Sequence, residues 1–335
     1  MKTINTKNIL KVNQIFILLF ATTMTFTSCN NDDSTQNNAP TAISFNSIRQ
    51  DALDNITQEF QINAANGTTT LTSANGVEID IDANCLTLNG NAVTGTIDIE
   101  YVEVFDGGKM LVTDKTTMGK LPNGDMAMLI SGGEFYINAT QNGQQLALGC
   151  GMHLRIPTSL TAANNSMTLW NGVTDNDGNL DWEEVINTNG VGGGVDLGQG
   201  PAGGQGLYYA VFNNFGWTNV DRFYSYVGLK TQILATVPNG YNNLNSAVYL
   251  HYDGEGNALA KLDTYDSATA LFSEHYGQIP VGLACHIIFA TEDNGQWRYA
   301  IKAVTIAENA VYTFTLSETT VGTEAQLVAA INTLP

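Results

Sequence analysis

Apolar and polar residues alternate along much of the chain with a period of two, the period of half-buried β-strands. The segment GVEIDIDA puts Val77, Ile79 and Ile81 on one face and acidic residues on the other. The segments TIDIEYVEVF (96–105) and GEFYINAT (133–140) alternate similarly, and Asn-Gly turn dipeptides separate such runs. Short strands joined by tight turns predict a mainly β protein built as a sandwich or barrel.

The alternation changes phase once within residues 96–105. Ile97, Ile99 and Tyr101 share one phase, whereas Val102 and Val104 take the other. One extra residue in a paired strand produces such a shift, so we predict a β-bulge next to Tyr101.

The second half of the chain is also β-rich. In MTLWNGVTDNDGNLDWEEV (167–185), apolar pairs containing tryptophan flank an Asp-Gly turn, which predicts a β-hairpin. Glycine dominates residues 190–206, where we expect a flexible loop between two halves, and strand-like segments resume at Leu207. The final segment, TEAQLVAAINTL, predicts a helix with Thr323 as N-cap. Its apolar face would contain Leu327, Ala330, Ile331 and Leu334.

Residues 1–28 have the layout of a secretory signal peptide. Lysines at positions 2, 7 and 11 precede the apolar run IFILLF (15–20), and small residues lead to Ser28. The apolar run is too short to span a bilayer.

Composition narrows the function classes. The 335 residues include 13 Lys and Arg against 32 Asp and Glu, a net charge of −19. Such an acidic body repels nucleic acid and anionic lipid headgroups, so we expect no nucleic-acid partner. Solubility explains the acidity more simply than attraction of basic partners does.

Four cysteines stand at positions 29, 85, 150 and 285, and no two form a CxxC pair. With Cys29 set aside, three remain, and an odd number cannot form a complete set of disulfides. Cys85 and Cys285 follow core-like sequences in which a free cysteine acts as a small hydrophobe. A Cys85–Cys150 bridge is the alternative.

The stretch FTSC (26–29) resembles a bacterial lipobox. The resemblance implies that Cys29 becomes the first mature residue and carries acyl chains such as palmitate, which anchor the protein without a spanning segment. The following CNNDDS (29–34) resembles the export signal of Bacteroidota lipoproteins, in which Asp32 and Asp33 would direct the protein to the outer face of the outer membrane. The alternatives are an ordinary signal peptide that contains a cysteine, and a solvated polar tether.

Residues 69–158 resemble the ZU-five β-sandwich domain of zonula occludens proteins, netrin receptors and ankyrins, and more closely its version in Bacteroidota lipoproteins. The most specific part is SGGEFYINATQNG (131–143). One departure is Asp80-Ile81-Asp82, where the pattern has an apolar residue and proline. The resemblance implies a binding or scaffolding module without catalytic residues. The self-cleavage sequence of some eukaryotic relatives is not matched at His153.

These patterns divide the chain into five parts. They are a signal peptide at 1–28, a lipidated disordered tether at 29–45, a ZU-five-like β-sandwich at 46–160, a hairpin and Gly-rich linker at 161–206, and a second, smaller β-rich domain with a C-terminal helix at 207–335.

Few side chains in the sequence indicate a metal-binding, modification or catalytic site. The acidic turn provides Asp175, Asp177 and Asp181 as oxygen ligands for calcium, but the loop does not fit an EF-hand because its glycine comes two positions too early. An acidic hairpin turn without metal is the favoured alternative. Asp-Ser pairs at Ser34 and Ser267 resemble short O-glycosylation sites of Bacteroidota.

The tryptophans offer a sugar-stacking platform, although such residues more often fill cores. No phosphate-binding loop, nucleophile elbow or paired-histidine metal motif occurs, so we expect no catalytic residue and no cofactor. We therefore expect a non-enzymatic interaction or scaffold subunit, anchored to the outer membrane by lipid and docked on an outer-membrane β-barrel protein. The alternative is a glycan-binding lipoprotein of a polysaccharide-uptake system, and a hydrolase ranks third.

Overall fold

Three α-helices accompany a mainly β structure. The computed structural model describes residues 39–175, 178–186, 194–200, 203 and 206–335. The helices are α1 (Ala42–Ile56), α2 (Gly107–Thr113) and α3 (Glu324–Asn332).

Strands fill most of the remaining described chain. The first thirteen are β1 (Gln58–Asn63), β2 (Thr68–Thr72), β3 (Glu78–Asp82), β4 (Leu86–Leu88), β5 (Asn91–Ala92), β6 (Thr96–Val104), β7 (Met118–Lys120), β8 (Met126–Gln141), β9 (Gln144–Gln145), β10 (Ala147–Leu148), β11 (Met152–Pro157), β12 (Thr168–Thr174) and β13 (Leu180–Glu184). The others are β14 (Val195–Gln199), β15 (Gly206–Phe212), β16 (Gly216–Phe223), β17 (Lys230–Thr236), β18 (Ser246–Tyr252), β19 (Ala260–Lys261), β20 (Thr264–Asp266), β21 (Leu271–Pro280), β22 (Ala284–Asp293), β23 (Gln296–Thr305), β24 (Val311–Thr313) and β25 (Thr320–Gly322).

The first sandwich packs two sheets face to face. One sheet has the order β1-β6-β8-β16-β12-β13-β7, with β9 paired to β8, and the other has the order β14-β15-β11-β3-β2. Val77, Ile79 and Ile81 are buried between them, as the alternation predicts. The predicted hairpin is confirmed, since β12 and β13 pair antiparallel. A small third sheet, β10-β4-β5, lies beside this core.

The predicted β-bulge next to Tyr101 is wrong. β6 pairs with β1 and β8 in unbroken register through this residue. Tyr101 and Val102 are both buried because the two faces of β6 are covered by different cores. Burial on both faces removes the selection for alternation, so the apolar pattern shifts without any change in the strand.

A second sandwich follows along the chain. Its sheets have the orders β20-β21-β17-β24 and β19-β18-β22-β23-β25, with an apolar core between them. β15 and β16 precede this sandwich in sequence but pair with strands of the first two sheets. The boundary predicted after residue 206 thus falls at the start of β15, within a sheet of the first sandwich. The described residues from 39 to 335 cluster as a single compact unit.

The three helices form a layer that shares one core with the outer face of β18, β22 and β23. α1 begins at Ala42, so residues 42–45, which the sequence assigned to the tether, are helical, and Phe45 is fully buried. The C-terminal helix is confirmed, with Thr323 as N-cap and Leu327 and Ile331 buried.

Cys85 and Cys150 form a disulfide, so the interpretation of Cys85 as a free core residue is wrong. The pairing of β10 with β4 and the hydrogen bond from the Gly149 amide to the Cys85 carbonyl (2.7 Å) bring the two cysteines together. Cys285 is free and buried, as expected.

Candidate functional site

An open groove of about 370 Å³ lies beside α1. Its walls come from α1, the end of α2, the turn between β12 and β13, and the segments that flank β18 and β19. The volume is at the lower end of the range of small-molecule pockets. Helix, turn and sheet therefore all supply side chains to one opening.

Asp114, at the C-terminal end of α2, is the centre of an ion-pair network in this groove. Its carboxylate lies 3.1 Å from the Arg49 guanidinium and 3.0 Å from the Lys261 ammonium, and it accepts a hydrogen bond from the Tyr249 hydroxyl (2.7 Å). Burial opposes ionisation, but Arg49 and Lys261 outweigh it and lower the pKa of Asp114 to about 2. Asp114 is therefore ionised at neutral pH.

Arg49 and Lys261 have further partners around the same carboxylate. Arg49 donates to the Tyr249 hydroxyl (2.8 Å), and Lys261 donates to the Asn179 side-chain oxygen (2.9 Å). These contacts join α1, α2, β18, β19 and the β12–β13 turn. The network fixes the shape of the groove wall.

Lys115, the next residue after Asp114, also lines the groove but is bound differently. Its ammonium lies 5.3 Å from the centre of the Trp217 ring, and no described residue accepts a hydrogen bond from it or forms an ion pair with it. Burial lowers the pKa of Lys115, while Asp114 and Glu134 act in the opposite direction. Lys115 is thus a half-buried cation without a hydrogen-bond acceptor in the described structure.

An acidic cluster lies next to the groove. Burial, followed by the nearby Asp175 and Asp263, raises the pKa of Asp181 to about 7. Asp175 accepts hydrogen bonds from the backbone and side-chain nitrogens of Asn179, at 2.8 and 2.9 Å. These hydrogen bonds of Asp175 close the hairpin turn. Such a role fits the acidic hairpin turn without metal, the alternative to a calcium site.

Metal binding by this turn stays a prediction. Asp177 lies outside the described residues. Within the part of the chain that the structure describes, no three His, Cys, Asp or Glu side chains are arranged to hold a metal ion.

A second polar constellation joins Ser131 of the SGGE segment (131–134) to Asn219 and Asp221 of β16. Ser131 donates to the side-chain oxygen of Asn219 (3.0 Å), and the Asn219 amide donates to Asp221 (2.6 Å). All three side chains are fully buried, and burial raises the pKa of Asp221 well above its usual range. Asp221 thus belongs to a buried hydrogen-bonded chain of side chains.

The two glycines of SGGE allow β8 to pack closely against β16. A Cβ on Gly132 would lie 2.8 Å from the Val220 carbonyl of the neighbouring strand. Gly133 has φ +136°, a conformation that side chains with a Cβ rarely adopt. The motif therefore reflects close approach of β8 and β16.

Glu134 completes the SGGE segment and is fully buried, with no hydrogen-bond partner for either carboxyl oxygen in the described structure. Burial and then the nearby Asp221 raise its pKa well above the usual range, although Lys115 opposes this shift. Burial thus favours the neutral form of the Glu134 carboxyl group.

Several predicted site residues lie outside the described residues. They are Cys29, Asp32, Asp33 and Ser34. Ser267 is exposed in the turn between β20 and β21, and its glycosylation stays a prediction.

The tryptophans do not form a sugar-stacking platform. Trp170 and Trp182 are buried in a core cluster, and each indole N–H donates to a backbone carbonyl. Trp297 is buried in the helical layer, and Trp217 is half-buried beside Tyr136. The preference of such residues for the core explains their positions.

The groove residues were not found from the sequence. Arg49, Asp114 and Lys261 are far apart in the chain and belong to no motif, so only the fold brings them together. The one signal in the sequence that could have indicated these residues is the scarcity of cations, 13 in 335 residues. When cations are so few, each one that is buried requires an explanation.

The sequence matches no protein-family model and no curated protein. Among the described helices, none has the length and apolar character needed to cross a bilayer.

Proposed function

We propose that the protein is a lipid-anchored, non-enzymatic binding subunit of a bacterial outer membrane. In this proposal Cys29 carries the lipid, Asp32 and Asp33 direct the protein to the cell surface, and the first sandwich is a ZU-five-like domain. The support for the anchor is the lipobox-like sequence FTSC and the acidic residues that follow it. The support for the domain is the intact segment SGGEFYINATQNG.

The observation that carries the binding role is the charge of the groove. In a protein with net charge −19, Arg49, Lys115 and Lys261 line one opening. Concentrating cations against the overall charge creates a local potential that a partner can recognise. We propose that the partner, an outer-membrane protein, docks there.

The groove favours recognition over proton transfer. A general acid or base needs a pKa near the working pH, whereas Asp114 is held ionised by Arg49 and Lys261. Asp181, whose pKa is about 7, lies next to the groove but is not among its lining residues. The carboxyl groups of Glu134 and Asp221, which have strongly raised pKa values, are enclosed in the core. This arrangement supports a binding protein rather than a hydrolase.

The groove also lies close to the proposed anchor in sequence. Residues 30–41 separate Cys29 from Ala42, which lines the groove. Even fully extended, this segment spans at most about 45 Å. A partner in the same membrane is therefore within reach.

Replacing Cys29 tests the anchor. Cys29→Ala should move the protein from the membrane fraction to the soluble fraction, whereas Ser34→Ala should leave it in the membrane. The measurement is immunoblotting of fractionated cells. If Cys29→Ala stays in the membrane fraction, the lipid anchor is wrong.

A bulky residue on α1 tests the groove. Asn46 is exposed and lines the groove, whereas Ser47 is exposed on the same helix outside it. Asn46→Trp should abolish recovery of the outer-membrane partner after mild detergent extraction, and Ser47→Trp should not. Equal recovery with both variants would exclude the groove as the docking site.

The second candidate is glycan binding. The specific observation in its favour is the set of amide side chains that line the groove, namely Asn46, Gln50, Asn179 and Asn243. Amides donate and accept hydrogen bonds at once, as sugar hydroxyls require.

A further inference from the structure

Lys115 is the groove cation best placed to accept a new partner. Arg49 and Lys261 already contact Asp114, but the Lys115 ammonium has no acceptor among the described residues. The Lys115 side chain is only half-buried, so water rather than a protein group solvates its ammonium. An incoming anionic oxygen would replace that water with a charge-assisted hydrogen bond.

The charge balance of the groove also favours a ligand that has one negative charge. Three cations line it, against Asp114, which is ionised, and Asp263, whose pKa is raised first of all by burial. Among the lining residues an excess of positive charge thus remains, and the acidic cluster of Asp175 and Asp181 adjoins it. The net charge of −19 opposes a polyanion, since each additional charge on a long ligand would meet the acidic surface.

The remaining lining is uncharged but rich in hydrogen-bonding groups. Asn46 and Asn243 provide amides, Ser246 provides a hydroxyl, and Phe272 provides one apolar face. Two further lining amides are already engaged, since Asn179 is bonded to Lys261 and Asp175 and the Gln50 amide donates to Asp54. Amides match the paired donor and acceptor character of vicinal hydroxyls. The volume of about 370 Å³ suits a small ligand.

We propose that the groove binds a hexuronate, a sugar with a single carboxylate, and that Lys115 pairs with this carboxylate. The ring hydroxyls then contact the amides of Asn46 and Asn243. This inference rests on the proposed role of the groove as a binding site and names the class of ligand.

Calorimetric titration of the full chain in mild detergent with four probes tests the inference. Glucuronate should bind saturably. Glucose, which lacks the carboxylate, and acetate and inorganic phosphate, which lack the sugar hydroxyls, should each bind at least about tenfold more weakly, because each omits one class of contact. Equal binding of any control probe, or no saturable binding of glucuronate, overturns the inference.

Two lysine variants assign the contact. Lys115→Met keeps the apolar stem and should weaken glucuronate binding at least about tenfold. Lys120→Met, at an exposed lysine that pairs with Glu183 outside the groove, should not change it. If Lys115→Met unfolds the protein, Lys115→Arg keeps the charge and should retain binding. Unchanged affinity of a folded Lys115→Met variant, or loss of binding in a folded Lys115→Arg variant, overturns the assignment.

The two proposals fail separately. If glucuronate does not bind but Asn46→Trp still loses its protein partner, the groove is a docking site with a different ligand class. If glucuronate binds and Asn46→Trp keeps the partner, the ligand proposal stands and partner docking occurs elsewhere.

Discussion

The pKa of Asp114 is about 2 and that of Asp181 is about 7, because Asp114 has cationic neighbours whereas Asp181 has acidic ones. Both side chains are partly withdrawn from water, which favours the neutral carboxylic acid. Asp114 overcomes this cost through Arg49 and Lys261. Asp181 instead lies near two other carboxyl groups, so burial and charge repulsion both oppose its ionisation.

Asp181 makes stability depend on pH. Because its folded pKa is raised above the value of an unfolded chain, it favours the folded state below about pH 4, and this contribution is lost as the pH rises toward about 7. At pH 8 the Asp181→Asn variant should therefore have a free energy of unfolding higher than that of the parent by on the order of 1 kcal/mol after solvent screening. It should accordingly unfold at a higher temperature.

The same substitution should have little effect at pH 4, where the parent carboxyl is protonated. Thermal unfolding followed by circular dichroism at the two pH values makes the comparison. An equal change at pH 4 and pH 8 would show that titration of Asp181 is not the cause.

At the scale of elements, α1 shows how packing decides a weakly specified segment. Its sequence is compatible with either a short helix or an extended segment. The observed helix buries Phe45, Ile48 and Ala52 on one side, and the Thr41 side chain caps its first turn. The Phe45 ring meets Trp297 edge to face, so contact with the second sandwich stabilises the helix.

Substitutions on α1 should separate packing from helix propensity. Phe45→Ala should lower the free energy of unfolding by about 3–5 kcal/mol, because it leaves a cavity next to Trp297. Ile43→Ala on the same helix should change it by less than about 0.5 kcal/mol, since Ile43 is 82% exposed. Urea titration measures both, and equal losses would contradict the packing role of α1.

At the scale of the whole molecule, β8 joins the two sandwiches. Met126, Met128 and Ile130 at its start belong to the core of the second sandwich. Phe135 and Ile137 further along belong to the core of the first. One strand thus completes both cores, and each sandwich lacks part of its interior without the other.

Fragments should therefore not fold alone. We expect residues 207–335 to show no cooperative thermal transition, because they lack β8 and the partners of β15 and β16. Residues 39–335 are the control and should unfold cooperatively. A sharp transition of the 207–335 fragment would support the domain division predicted from the sequence.

The sequence alone determined the local features of this protein. Alternation identified the strand around Ile79, turn dipeptides and tryptophan pairs identified the β12–β13 hairpin, and Thr323 marked the start of the final helix. These features depend on neighbours within a few residues, so a linear pattern contains them. The proposed role of Cys29 likewise rests on adjacent residues.

Only the tertiary structure decided what joins distant parts of the chain. It placed Arg49, Asp114 and Lys261 in one network, paired Cys85 with Cys150, and buried both faces of β6, which the sequence interpreted as a bulge. The physical reason is the same in each case. Burial and electrostatic energy depend on which segments meet in space. Residues as far apart in the chain as Cys85 and Cys150, which are separated by 65 positions, leave no periodic trace of that meeting.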